Sequence, residues 1–486
     1  MRKYIVSVLL ITGVVSVAIM CNDPGSKKTE ALVSAVKQVT ADTSCSCVNS
    51  FNKIVYGLTI PGDAASTNGQ PDFNCFAWAE FVALNWPTDS GAGFGDPRDL
   101  SPVQWETFIQ KESLYLPDGA VPQPWNAQNQ NSKSEITSLL KTKAPANTKM
   151  LRFSTKFTTT GISFNDSIPE SNQAASPNGI SWLGAQNSTN VWYEVLLNED
   201  IYNYVVQNKY YNAQNQADSA NKGTPINFPA GVVNGITGAI ELKAAWMEVN
   251  DLQNPKWNRY KLSNAIVTDL NTGNPRQVVV ALVGLHILHK TASQPSWVWT
   301  TFEQIDNVPS PGDSANKLYN FYDSTGLDSV NQPHTYHLVN GGSKPTPNCV
   351  TRVTAISSTA MATNKNLQAQ IRSIYPNSVW QYYQMVNVIW QNNGPGVTDT
   401  TSVLPFPFTS PGGTYTSNTT METYVQNLTC VNCHTFASIA PTATSEPAYF
   451  SDFSFAIGSA TAPAASLRKR AKKSNFRMIR INLPKK

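Results

Sequence analysis

The spacing of apolar residues changes character along this chain, and the change outlines a fold. From about Gly235 to Ile305 the pattern is that of strands. Ile240 to Val249, Asn258 to Leu270, Gln277 to His289 and Trp297 to Ile305 each have strand length and are rich in β-branched or aromatic residues. Gln277 to His289 is apolar at both alternating sets of positions, which predicts a central strand covered on both faces. Elsewhere the apolar period is helical. Phe76 to Trp86 reads as a helix stopped by Pro87, and Ser101-Pro102 starts another with Trp105, Phe108 and Ile109 on one face. Val191 to Tyr211 and Leu367 to Trp390 are two further helical segments. Pro, Gly and Asn separate these segments, and residues 310–350 read as irregular loop. The expectation is an α+β fold, mixed helices with a largely antiparallel sheet, in one large domain over residues 44–400.

The two ends read differently. Met1-Arg2-Lys3, an apolar run to Met20 and then Cys21 resemble a bacterial lipoprotein signal over residues 1–21. Lipidation of Cys21 would hold the exported protein at a periplasmic or outer or inner membrane surface, with polar residues 22–43 as a tether; an ordinary cleaved signal or an uncleaved anchor is the alternative. At the other end, residues 467–486 carry nine Lys or Arg and no acid; +4 overall with +9 in the tail leaves −5 for the rest. Such a tail suits anionic lipid, an acidic redox partner or plain solvent. Nucleic acid is not an expected partner for an exported protein. Twelve Trp, 18 Tyr and 19 Phe supply ample core, so low-hydrophobicity disorder is excluded as the general state.

The chemistry is concentrated in Cys430-Val431-Asn432-Cys433-His434, a C-x-x-C-H pentad. Two thiols three positions apart can each form a thioether to one vinyl group of a single porphyrin, and the adjoining His is then placed to ligate the iron. A thioredoxin-like dithiol would need a βαβ setting, and a zinc site a second nearby Cys/His pair; neither is present in the sequence. The pentad therefore predicts one covalent haem c on Cys430 and Cys433, with His434 as the metal ligand. Thr419-Thr420-Met421-Glu422 fits a capping box for a helix carrying Tyr424, Val425 and Leu428 into the motif, within a haem segment at 415–460. Such a helix resembles the opening of a small cytochrome c domain, which also needs a Met ligand and a closing helix. Only Met478 follows, inside the basic tail, so the large domain is expected to cover one side of the haem. Met421 is expected to pack within its helix.

Four cysteines remain besides Cys21 and the pentad. In an oxidising compartment Cys45 and Cys47 can each cross-link to one of Cys75 and Cys349, or the thiols can stay free and buried. Among histidines, His286 and His289 face opposite sides of one strand. A hairpin closing at Thr291–Ser296 would put His286 opposite Thr301 and diagonal to Glu303, making His286 and Glu303 the candidate acid–base or ligand pair. A core histidine is the plainer alternative. His334 and His337 sit in a Pro- and Asn-rich loop.

Phe76 to Pro87, Leu242 to Trp246 and Trp297 to Glu303, together with the pentad, resemble large bacterial proteins grouped as cytochrome c family proteins, with one haem motif near the C-terminus. The resemblance implies haem binding and names no substrate. Three functions are open: electron transfer with a redox partner protein, a haem enzyme acting on a small oxidant or reductant, and a ligand-binding or structural surface lipoprotein with auxiliary haem.

Overall fold

A computed structural model of the chain describes residues 59–64, 67–89, 91–127, 145, 147–151, 181–268, 274–310, 313, 317–325, 328–335, 346–390, 416–427, 429–434, 437–442 and 449–463. All of these belong to one compact unit, Asp42–Lys486. The expected signal and tether, Cys21, Cys45, Cys47, His337, Met478 and the basic tail lie outside the described residues. Among the described residues, no helix is long and apolar enough to cross a membrane.

The architecture is α+β. In chain order the elements are α1 (Gln70–Leu84), β1 (Ile109–Gln110), α2 (Lys111–Leu114), β2 (Lys149–Leu151), β3 (Ser181–Trp182), β4 (Val191–Leu197), α3 (Glu199–Gln207), α4 (Ala213–Asn221), β5 (Ile240–Glu248), β6 (Leu262–Thr268), β7 (Pro275–His289), β8 (Val298–Gln304), β9 (His334–Thr335), α5 (Ser358–Ile374), β10 (Tyr383–Ile389) and α6 (Cys430–His434). The four strands expected between Gly235 and Ile305 are all present. β7 is the spine of the sheet. One of its edges pairs with β5; the other pairs first with β6 and then with β8. The order is β1-β4-β5-β7-β6-β2, with β8 and β10 branching from the second half of β7. Among the described strands of this sheet, every pairing is antiparallel except β2 with β6. β3 and β9 form a separate two-stranded ladder. The doubly apolar pattern of β7 follows from this central place, since its second half is buried on both faces.

One face of the sheet is covered by α1 and α5. Phe302 of β8 stacks on Phe81 of α1 with centroids 4.1 Å apart and meets Trp78 edge-on at 5.1 Å. Trp78 Nε1 donates to Asn364 Oδ1 of α5 at 3.0 Å, so the two helices are tied together by a satisfied buried polar pair. α1 is buried around most of its circumference, as a helix inside a core should be, and Pro71 sits in its first turn, where a missing N–H costs nothing. The opposite face carries Tyr193, Lys243, Gly284, His286, Trp299, Thr301 and Glu303 at matching registers. Asn418, Thr420, Glu422 and His434 meet that face through Thr301, Tyr193, His286 and Trp299.

Three expectations are corrected. Val191 to Tyr211 is not one helix: Val191–Leu197 is a strand, and α3 starts only after Asn198. Asn198 Oδ1 accepts from both Ile201 N (3.2 Å) and Ile240 N (3.0 Å), so one side chain caps the helix and holds it to β5. The helix expected over Leu367 to Trp390 ends at Ile374, just before Pro376, and Tyr383–Ile389 is a strand buried against β8. Ser101-Pro102 leads only to a single tight turn, Gln104–Thr107, that delivers Trp105 to the core.

The cysteine scheme changes too. Cys349 is a free, buried thiol whose Sγ lies 3.8 Å from the Asp323 carbonyl, so it makes no cross-link. Cys75 is disulfide-bonded to a cysteine outside the described residues.

Candidate haem-attachment site

The approach to the pentad is a strap, residues 416–427, pressed onto the sheet. Threonine-rich sequence favours side-chain bonds to nearby backbone over a helix, and the strap runs through turns where a three-turn helix was expected. The capping box is displaced by one residue. Asn418, not Thr419, offers its N–H to Glu422 Oε2 (2.8 Å) and accepts from Thr420 N (2.9 Å). Asn418 Nδ2 also donates to Thr301 Oγ1 and the Phe302 carbonyl at 3.0 and 2.9 Å, which fixes the turn to β8. Tyr193 OH donates to the Thr420 carbonyl at 2.7 Å. Gly284 of β7 makes this approach possible, because a Cβ there would lie 2.3 Å from Thr420 Oγ1. Met421 is buried with Tyr193, Met247 and Val283 in an apolar cluster, which suits packing and removes it as an iron ligand.

The pentad itself forms the single helical turn α6. Thr416 holds its start: Cys430 N donates to Thr416 Oγ1 at 3.3 Å, and that hydroxyl is 3.2 Å from Cys430 Sγ. Both thiols are free. Cys430 is half-buried and Cys433 exposed. Burial pushes the Cys430 thiol up to about 12, and burial with the Glu422 charge raises Cys433 as well, so neither is a ready thiolate. His434 Nδ1 lies 2.7 Å from the Phe453 carbonyl. A carbonyl can only accept, so the proton is on Nδ1 and the lone pair on Nε2. Burial holds the imidazole down to about 4 despite that hydrogen bond, with the nearby His286 and Lys243 charges adding to the effect. The ring sits between Trp299 of β8 and Phe455, each 4.9 Å away and edge-on.

This is the set of properties an axial ligand needs: neutral, oriented through Nδ1, and carrying its lone pair on Nε2. His434 is only half-buried and Cys433 reaches solvent, so a bulky group bonded here need not displace the core. Among the described residues no three His, Cys, Asp or Glu side chains converge as a metal-ion site. The donor set fits a porphyrin that brings its own four nitrogens.

His286 does lie opposite Thr301, as expected from the hairpin. Its carboxylate partner is different. His286 Nε2 is 3.1 Å from Glu422 Oε1 of the strap, and its buried Nδ1 has no hydrogen-bond partner. Burial opposes charge on Glu422, yet His286, Lys243 and the Asn418 N–H together lower its pKa. Glu303 sits opposite Gly284 and pairs instead with Arg352, while accepting from Thr419 N. The two residues are one pair apart on the same face, and the strap, invisible to a hairpin argument, takes each of them separately. His289 faces the other way, into the α1 side, where Nδ1 is 2.7 Å from Glu80 Oε1. His334 falls in β9, and its side chain lies outside what is described.

Comparison with protein-family models, curated proteins and solved structures finds no match. Sequence reasoning missed the Phe453 carbonyl, the Trp299 and Phe455 rings and the role of Glu422. Only Glu422 carried a signal, as a capping residue; a backbone carbonyl carries none.

Proposed function

We propose that this chain is an exported c-type cytochrome-like protein. It would hold one covalent haem c through Cys430 and Cys433, with His434 as the iron's ligand, and would exchange electrons with a redox partner protein outside the cytoplasm. The observation that carries the reading is the Nδ1–H of His434 bound to the Phe453 carbonyl, directly after two unpaired thiols at haem spacing. A bound haem would supply a one-electron iron centre at this turn. The protein's own residues do the rest. Phe453 orients the imidazole, Trp299 and Phe455 hold its ring, and the strap fixes Cys430 against β8 and β7. The resemblance to cytochrome c family proteins supports the same reading, and the lipoprotein-type signal supports anchoring through Cys21. Cys21→Ala should release the protein from membranes; full retention would count against the anchor. For the haem, His434→Ala should leave the group covalently attached and change its spin state. An unchanged spectrum would refute the ligand assignment.

A second reading, a haem enzyme acting on a small oxidant or reductant, is favoured by one feature. His286 with Glu422 is a partly buried acid–base pair beside the pentad, and the buried His286 Nδ1 has no hydrogen-bond partner. Carbon monoxide separates the two. A haem with two strong protein ligands leaves no position for it, whereas an open iron takes it up. Nε2 of His286 is engaged by Glu422, which argues for a proton-handling role over ligation.

A further inference from the structure

We infer that the buried Asp452–Lys290 ion pair is a positioning device for His434, holding a left-handed turn that aims the Phe453 carbonyl at Nδ1. The inference rests on the haem reading. Ser454 N donates to the Ser451 carbonyl at 3.1 Å, closing a turn whose central residues, Asp452 and Phe453, have φ of 52° and 66°. Turns with positive φ at both central positions are dominated by Gly, Asn and Asp. Phenylalanine is a poor occupant, so the conformation needs support from outside the turn, and such outliers concentrate at functional sites.

The support is visible. Asp452 is 6% exposed, and its carboxylate accepts from Lys290 Nζ, from Phe228 N (2.8 Å) and from Trp297 Nε1 (3.4 Å). Lys290, at the end of β7, is 2% exposed, donates to Asn227 Oδ1 at 2.6 Å, and is anchored by its own N–H on the Ala239 carbonyl. Ser454 Oγ donates to Glu241 Oε2 at 2.6 Å, so the far side of the turn is tied to β5. The turn is thus fixed to the sheet at both ends, with Phe453 offering its carbonyl between them. A hydrogen bond from Nδ1 makes an imidazole a stronger donor to a metal, which favours the oxidised iron. Asp452 and Lys290 act on His434 through the turn and its Phe453 carbonyl.

The test compares full-length, haem-loaded wild type with Asp452→Ala, Asp452→Asn and a control, Glu194→Gln, which disturbs a buried ion pair on the opposite face of the sheet. Covalent haem content, midpoint potential and the iron–histidine stretching band are read for each. Asp452→Ala should keep its haem, shift the reduced-to-oxidised ratio at fixed ambient potential about tenfold toward reduced, or about 59 mV for one electron, and weaken the stretching band. Asp452→Asn, which retains a side chain tolerant of positive φ, should shift less in the same direction, and Glu194→Gln should not shift. Should Asp452→Ala fail to accumulate, a potential for Asp452→Asn equal to that of wild type overturns the inference, and a raised one supports it. A fully haem-loaded Asp452→Ala at the wild-type potential overturns the inference alone. Wild type without covalent haem overturns the haem reading and this inference with it.

Discussion

Gly284→Ala is expected to lift the strap that delivers the pentad. The new Cβ would stand 2.3 Å from Thr420 Oγ1 and about 3.0 Å from the Asn418 amide. Ordinary contact begins near 3.5 Å, so something must move by about 1 Å. Thr420 is poorly placed to give way. It is β-branched, its hydroxyl and N–H both donate to Asn418 Oδ1 (2.7 and 2.9 Å), and its carbonyl accepts from the buried Tyr193 phenol. Overpacking of this kind costs about 1–3 kcal/mol, and stranding the Tyr193 hydroxyl adds about 1–3 kcal/mol if Thr420 retreats. Together the two terms give a destabilisation of about 2–6 kcal/mol. Urea unfolding should show it as a lower midpoint with an unchanged slope. Thr420→Ala removes the nearest atom, so a double-mutant cycle should return at least about 1 kcal/mol of coupling. An alanine variant within about 0.5 kcal/mol of wild type, uncoupled to Thr420, would refute the seating of the strap on β7.

Three further outcomes are expected. Burial opposes charge on His289, but Glu80 and the Thr237 carbonyl raise its pKa above 6.5; its folded value exceeds its unfolded one, so the stability it contributes is complete below about pH 6.5 and fades as pH rises through the raised value. His289→Gln should flatten that alkaline-side loss in unfolding measured across pH, and an unchanged slope would refute the pair. Burial likewise opposes the Glu106 carboxylate, but Lys149 and Lys261 hold it at about 2, so its contribution is present above about pH 4.5 and lost as pH falls toward 2. Glu106→Gln should cost about 3 kcal/mol at pH 7 by denaturant titration, and a loss below about 1 kcal/mol would mean the two lysines do not depend on it. Alkylation of unreduced, denatured holoprotein should label Cys349 while sparing Cys75, Cys430 and Cys433; protection of Cys349 would contradict its assignment as a free thiol.

Much of the sheet was legible because β7 and its neighbours are long, apolar and β-branched, and neither a helix nor a loop accounts for that pattern. Val191–Leu197 was misread because a strand buried on both faces adjoins an amphipathic helix, and together they imitate one long helix. The boundary is one residue, Asn198, whose side chain does the capping. The pentad was legible for a different reason: its chemistry dictates its spacing. What surrounds it was not. His286 and Glu303 share a face, but which carboxylate meets which cation was decided by a strap more than a hundred residues away in sequence. The orientation of His434 depends on a backbone carbonyl and on a strained Asp-Phe turn, and neither has a compositional signature.

The most direct test of the central claim is whether haem stays on the unfolded polypeptide. Full-length protein is matured in a host that attaches c-type haem, denatured, treated with acidified organic solvent and examined for haem on a denaturing gel. Haem should stay with the wild-type chain and be lost when Cys430 and Cys433 are both replaced by alanine. Haem that extracts from the wild-type chain, or a wild-type chain that carries none, would contradict it.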